Sequence, residues 1–191
     1  MLNCEKKILF LRNHKCASST CQEVLKNFFP IKGGIIGKEL PWIHSDINKW
    51  KEYIEKNNLV KGKLISVTTV RNPWDRMVSL FYYKGYHSET YGKDGFKNFI
   101  KTVKYSFINF IFDKNGNKLI DIVIKIEELD KLFDIMSKML SVKIIYKNKK
   151  INTSSRPDSK EKNYRQYYDD ETKKIVSKMF KYEIEYFGYS F

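Results

Sequence analysis

The strongest constraint on the fold is the segment Lys6 to Arg12, where four consecutive apolar residues, Ile8-Leu9-Phe10-Leu11, are bounded on both sides by charge. An unbroken apolar run of that length suits a short strand covered on both faces, since a strand with one wet face would alternate. A polar loop follows, and Ser19 to Phe29 then reads as a helix, with Val24, Leu25, Phe28 and Phe29 on one side and Pro30 ending it. Strand, loop and helix in that order form the opening unit of an α/β sheet.

The same grammar recurs along the chain. Residues 46 to 56 carry Ile47, Trp50 and Ile54 at helical spacing, and Lys63 to Val70 reads as a second strand. Arg71-Asn72-Pro73 is a turn, after which Trp74 to Lys84 has an apolar stripe at Met77, Val78, Phe81 and Tyr82. Leu119 to Ile126 reads as a further buried strand, and Glu127 to Leu140 as a helix with Leu129, Leu132, Phe133, Met136 and Leu140 on one face. A last helix is expected from near Asp169 to Gly188. Strands alternating with helices predict an α/β fold, a three-layer sandwich whose central, mainly parallel sheet is flanked by helices. With 191 residues, 42% of them hydrophobic, the chain can bury one sizeable core. No internal repeat or second-domain boundary is visible, so residues 1–191 are expected to form a single domain.

Several classes are disfavoured. No apolar run approaches the roughly 18 residues of a membrane span. The short run before Arg12 is also too brief for the apolar region of a signal peptide, so a cytoplasmic chain is expected. Cys4, Cys16 and Cys21 have no paired zinc spacing, which argues for reduced thiols and against a structural metal. The net charge of +14 favours an anionic partner. Of the 36 basic residues only Arg12, Arg71, Arg76, Arg156 and Arg165 are arginine. Where lysine is the default, arginine marks positions that need a planar, bidentate grip on phosphate or carboxylate. Residues 141 to 165 hold eight Lys or Arg against two acidic residues, a net +6, in a segment that reads either as a solvated loop or as a clamp on an anion.

The loop after the first strand is His14-Lys15-Cys16-Ala17-Ser18-Ser19-Thr20. A helix that begins after a buried strand presents unpaired N–H groups and the positive end of its dipole, a site for an anion. Small residues let the backbone approach a ligand, Ser19 and Thr20 add hydroxyls, and Lys15 adds charge. A plain helix cap is the competing reading, because Ser19 with Gln22 and Thr20 with Glu23 both have capping-box spacing. A Walker loop is excluded here for want of its glycines, and Gly33-Gly34-Ile35-Ile36-Gly37-Lys38 is one residue short of one. Cys16 as a phosphocysteine nucleophile would call for an arginine six positions on, where this chain has Gln22.

A second motif, Val70-Arg71-Asn72-Pro73-Trp74-Asp75-Arg76-Met77-Val78-Ser79-Leu80-Phe81-Tyr82, puts Arg71 at the carboxyl end of a strand and Ser79 about two turns into the next helix. Ligands in open α/β sheets bind at such strand ends. Arg76 reads better as one half of a structural ion pair.

Together these two motifs resemble the sulfotransferases that use 3′-phosphoadenosine 5′-phosphosulfate (PAPS), in the branch containing the carbohydrate sulfotransferases. The Lys-Cys-Ala-Ser-Ser-Thr loop resembles the family's 5′-phosphosulfate loop, VRNPWDRMVSLFYY its 3′-phosphate motif, and the ending Phe187-Gly188-Tyr189-Ser190-Phe191 its closing tail. The resemblance implies the P-loop-NTPase-like sulfotransferase fold with PAPS as cosubstrate and no metal. It assigns Lys15, Cys16, Ala17, Ser18, Ser19 and Thr20 to the 5′ end and Arg71 and Ser79 to the 3′-phosphate. Arg156 is added to the cosubstrate set from the basic segment, and Arg12 is assigned to the substrate. His14 stands where proline is usual, and Cys16 where threonine is usual.

Sulfuryl transfer needs in-line alignment, neutralisation of the leaving phosphate and a base for the acceptor proton. Lys15 is the implied neutralising charge, acting as a catalytic residue. His44, ahead of the helix at residues 46–56, matches the family's His-containing segment and is the implied general base. His87 is the reserve base and a substrate contact. The expected acceptor is a hydroxyl of a glycan or other small molecule. The rival class is a non-catalytic nucleotide or nucleic-acid binding protein. Nucleic acid is not expected, because the aromatic residues fall on apolar stripes rather than between basic residues on one strand face.

Overall fold

A computed structural model of the chain describes residues 1–31, 33, 41, 44–83, 92–103, 111–146 and 163–191. The described residues are α/β. Four strands, β1 (Leu2–Asn3), β2 (Ile8–Phe10), β3 (Ile65–Val70) and β4 (Ile122–Lys125), lie in the order β1-β2-β3-β4. β2 and β3 are parallel, with Ile8 opposite Ile65 and Phe10 opposite Val67, and β4 is parallel to β3 with Val67 opposite Ile122. β1 adds an antiparallel edge, Leu2 opposite Leu9. The helices are α1 (Ser18–Leu25), α2 (Ile47–Lys56), α3 (Pro73–Tyr83), α4 (Gly92–Thr102), α5 (Leu129–Leu140), α6 (Asp170–Met179) and α7 (Lys181–Phe187).

The chain groups into two compact units, one of Met1–Val70 and Asn117–Ile151, the other of Arg71–Gly116 and Asn152–Phe191. The first contains the whole sheet with α1, α2 and α5. Ile8 and Phe10 of β2, Val67 of β3 and Ile124 of β4 form one apolar cluster with Cys21 and Leu25 of α1 and Leu132, Phe133, Met136 and Leu140 of α5. Leu9 and Leu11, on the opposite side of β2, are equally buried, as the unbroken apolar run requires. β3 differs, since Ser66, Thr68 and Thr69 are buried hydroxyls that need internal partners. Asp46 caps α2, its carboxylate accepting from the amides of Asn48 and Lys49 at 2.9 and 3.1 Å.

The second unit is helical. Pro73 opens α3 at the position where its missing N–H costs nothing, and the Asn72 side-chain oxygen accepts from the Trp74 amide at 3.1 Å. Trp74, Met77, Val78, Phe81 and Tyr82 of α3 pack with Phe96, Phe99 and Ile100 of α4 and with Val176 and Phe180. The expected last helix is two. Asp169 caps α6 through a capping box with Thr172, and Phe180 then leaves helical dihedrals (φ −115°, ψ 28°) before α7 begins. Gly188 ends α7 in the left-handed conformation, φ 63°, as its position at the end of the pattern requires. The tail beyond it folds back within this unit: the Asn72 side-chain Nδ2 donates to the Ser190 carbonyl at 3.0 Å, and the rings of Trp74 and Phe191 meet edge to face at 5.5 Å.

Candidate active site

The loop between β2 and α1 is built on backbone conformations that ordinary residues avoid. Lys15 and Ala17 have φ of 57° and 56°, in the left-handed region, on either side of Cys16. Each costs on the order of 1 kcal/mol or more for a residue with a Cβ, so the surroundings must impose the shape. Four contacts within the first unit do so. The Cys16 amide donates to the Asn13 carbonyl at 3.4 Å, and its thiol donates to the His14 carbonyl at 3.3 Å. The hydroxyl of Thr69 donates to the Cys16 carbonyl, and the Asn13 side chain donates to the Thr69 carbonyl at 3.0 Å. Cys16 is fully buried and serves as the anchor of the loop.

Ala17 is the N-cap of α1, and no side chain caps the helix. The capping-box pairs offered by the sequence are therefore not used. The first turn also has no acidic residue, so the helix itself sets no carboxylate against the positive end of its dipole. Lys15, Ala17 and Ser19 are partly exposed, while Ser18 and Thr20 are buried. Within this unit the fold thus joins a left-handed loop, a lysine and an uncapped helix start, the components of an anion nest.

His44 belongs to the same assembly. Its Nδ1 lies 2.6 Å from the carbonyl oxygen of Arg12. A carbonyl can only accept, so Nδ1 carries a proton, and in the neutral ring the lone pair is on Nε2. The ring of His14 stacks on that of His44, with centroids 3.7 Å apart and planes inclined by 21°. Arg12, assigned to the substrate by resemblance, is 7% exposed, and it enters the site through the carbonyl that holds His44. Cys21 lies deeper, its thiol pushed up to about 12 by burial, which keeps it an inert core residue.

The motif from Arg71 to Tyr82 lies within the second unit. Arg71 directs Nε and Nη2 to one carboxylate oxygen of Asp75, each at 2.6 Å, one helical turn on. Both side chains are about one-fifth exposed, so the guanidinium is fixed in direction while remaining reachable. Ser79 is buried on α3. Arg76 forms the expected structural pair, its Nη1 3.6 Å from Oε1 of Glu183, both side chains fully buried. Arg156 and His87 lie outside the described residues.

The sequence reading did not include Asn13, Thr69 or Asp75. A hydroxyl pair, Thr68-Thr69, inside an otherwise apolar strand was the available signal for the first two, since buried hydroxyls must bond to something. Asp75 was signalled by its spacing of four from Arg71.

The profile of the Sulfotransferase family matches residues 1–115, a stretch containing both motifs. This chain belongs to the Sulfotransferase family. Comparison with curated proteins and with solved structures gives no match. Membership supports a transferase that moves a sulfuryl group from a donor cosubstrate, and the family's α/β architecture is the one the described residues adopt. Among those residues, no cluster of His, Cys, Asp or Glu could hold a metal ion, and no helix is long and apolar enough to cross a membrane.

Proposed function

We propose that this protein transfers the sulfuryl group of PAPS to an acceptor hydroxyl, with carbohydrate as the acceptor class, and that residues 1–191 act as one sulfotransferase domain. The observation that carries the reading is the uncapped start of α1, preceded by left-handed Lys15 and Ala17. A loop that keeps two strained residues ahead of a helix whose first turn carries no carboxylate suits an anion, and in this family the donor is one. The amides and hydroxyls of residues 15–20 would hold its 5′ end, and Arg71, oriented by Asp75, would hold the 3′-phosphate together with Ser79. The cosubstrate supplies an activated sulfuryl group.

The chain supplies charge and a base. Lys15 neutralises negative charge gathering at the loop as the bond to the leaving phosphate weakens. His44 presents Nε2 as the acceptor for the hydroxyl proton. Once the ring is protonated, the Nδ1–H bond to the Arg12 carbonyl strengthens, which favours the charged ring at the moment it forms.

Calorimetric titration of 3′,5′-adenosine bisphosphate, ADP and AMP into wild type and Arg71→Ala tests the reading. The expected result is a preference for the 3′-phosphorylated nucleotide that disappears in the variant. Equal binding of all three nucleotides by wild type would overturn it.

A further inference from the structure

We infer that His14 is a positioning residue for His44, and that the stacked pair takes up only one excess proton at a time. This rests on the reading of His44 as general base, and it is carried by the stack itself, 3.7 Å between centroids with nearly parallel planes. Parallel packing at that distance fixes the plane of the His44 ring, while the bond from Nδ1 to the Arg12 carbonyl fixes its rotation within that plane. Together the two contacts define the direction of Nε2.

The stack also links the two protonation states. A neutral imidazole face stabilises a neighbouring imidazolium, as aromatic faces do other cations, so the first proton is welcomed. A second would set two positive rings in van der Waals contact, where repulsion is strong in a partly buried site. The ionisable residues next to the rings along the chain add no negative charge that would offset that limit. Arg12 precedes His14 in the loop and Lys15 follows it, both cationic, and Asp46 at the start of α2 has its carboxylate engaged by the amides of Asn48 and Lys49. Cys16, whose thiol donates to the His14 carbonyl, is buried and adds no charge as a thiol. The pair is therefore a one-proton device: it accepts the proton of an acceptor hydroxyl readily while His14 is neutral, and it is disarmed once His14 is charged.

The test is nitrogen-15 NMR of histidine-labelled protein, titrated across the histidine range, for wild type, His14→Phe and His14→Ala. In wild type, His44 should occupy the Nδ1–H tautomer, and the two rings should titrate in macroscopic steps more than about one pH unit apart. Phenylalanine keeps a flat ring without a proton site, so His14→Phe should give His44 a single step with its tautomer retained. Alanine removes the ring, so His14→Ala should mix the tautomers and lower proton affinity about tenfold. The acid limb of kcat/KM should follow these midpoints. Independent one-site curves in wild type, together with an unmoved His44 in both variants, would overturn the inference. Coupled titration in a protein without sulfuryl transfer supports the pair and removes the functional reading. Transfer with uncoupled rings does the reverse.

Discussion

The hydroxyl of Thr69 on β3 donates to the main-chain carbonyl of Cys16, joining the middle of the sheet to the strained turn of the loop after β2. Thr69→Val keeps the shape of the side chain and removes the donor, leaving a buried carbonyl without that partner. A loss of about 1–3 kcal/mol is expected in urea denaturation. Because the bond holds Cys16 between two left-handed residues, affinity for 3′,5′-adenosine bisphosphate should fall about tenfold, by the cost of ordering the loop on binding. Thr69→Ser should restore both. Wild-type affinity in the valine variant would show that the loop is shaped by something else.

His44→Ala should lower kcat by on the order of 100-fold or more at saturating donor, the usual contribution of a general base. Donor affinity should stay within about threefold of wild type, because His44 meets the loop through the Arg12 carbonyl and the His14 ring and carries no phosphate contact in this scheme. Most of the turnover surviving would move the base elsewhere, with His87 as the reserve.

Much of this arrangement was legible in the residues. The apolar runs located β2, β3 and β4, and the spacing of Ile47, Trp50 and Ile54 located α2 to within a residue. β1 was not legible, since two residues cannot show a pattern and Leu2–Asn3 becomes a strand only by bonding to Leu9, Ile8 and Ile31. The first helix ends at Leu25, short of the expected Phe29, where the Phe28 carbonyl instead accepts from the distant Asn3 side chain at 2.7 Å. α4 is missing from the sequence reading although Phe96, Phe99 and Ile100 have helical spacing. In the candidate site, the place of the loop before α1 and of Arg71 at the end of β3 was readable because it follows from local sequence. Asn13 and Thr69 were not, because each acts through a partner more than 50 positions away.

Asp75 holds Arg71 through two nitrogens on one carboxylate oxygen. Arg71→Ala should therefore cost the 3′-phosphate contact outright, about 10- to 100-fold in affinity for 3′,5′-adenosine bisphosphate, since hydrogen bonds to charged groups contribute about 1.5–3 kcal/mol. Asp75→Asn keeps the guanidinium and loosens its direction, so a smaller loss of about three- to tenfold is expected. Titration calorimetry of both variants decides the order. A larger loss in Asp75→Asn than in Arg71→Ala would contradict the assignment.

Arg76 and Glu183 form a fully buried pair at 3.6 Å, with the Arg76 guanidinium also 5.6 Å from the centre of the Phe180 ring. Burial raises the Glu183 carboxyl to about 7, with Arg76 opposing the shift. A carboxyl that is easier to protonate when folded contributes stability below its unfolded value, near 4.5, and loses it as pH rises towards 7. Glu183→Gln should flatten that part of the stability profile. Arg76→Met, which strands the carboxyl, should cost about 3–5 kcal/mol, whereas Arg76→Met with Glu183→Leu should be near neutral or stabilising. Additive single and double variants in thermal denaturation would rule out this pairing.

Ser66 and Asp121 bind reciprocally where β3 meets the start of β4. Asp121 Oδ2 accepts from the Ser66 amide at 2.8 Å and from its hydroxyl at 2.5 Å, and the Asp121 amide returns a bond to the hydroxyl oxygen at 3.0 Å. Burial, the largest single influence on this carboxyl, pushes it up, but the two Ser66 bonds and the Lys63 charge together outweigh it and hold it below the ordinary aspartate value. A depressed carboxyl contributes stability that is fully present above its unfolded value, 3.8, and is lost as pH falls through the folded one. Ser66→Ala removes the hydroxyl and leaves the amide, so the variant should be less stable than wild type at pH 7 and the two should converge as Asp121 is protonated in both. Urea midpoints between pH 2 and 7 measure this convergence. A constant offset across that range would assign the cost of the substitution to lost packing in β3 and the lost Asp121 amide bond instead of to the carboxylate.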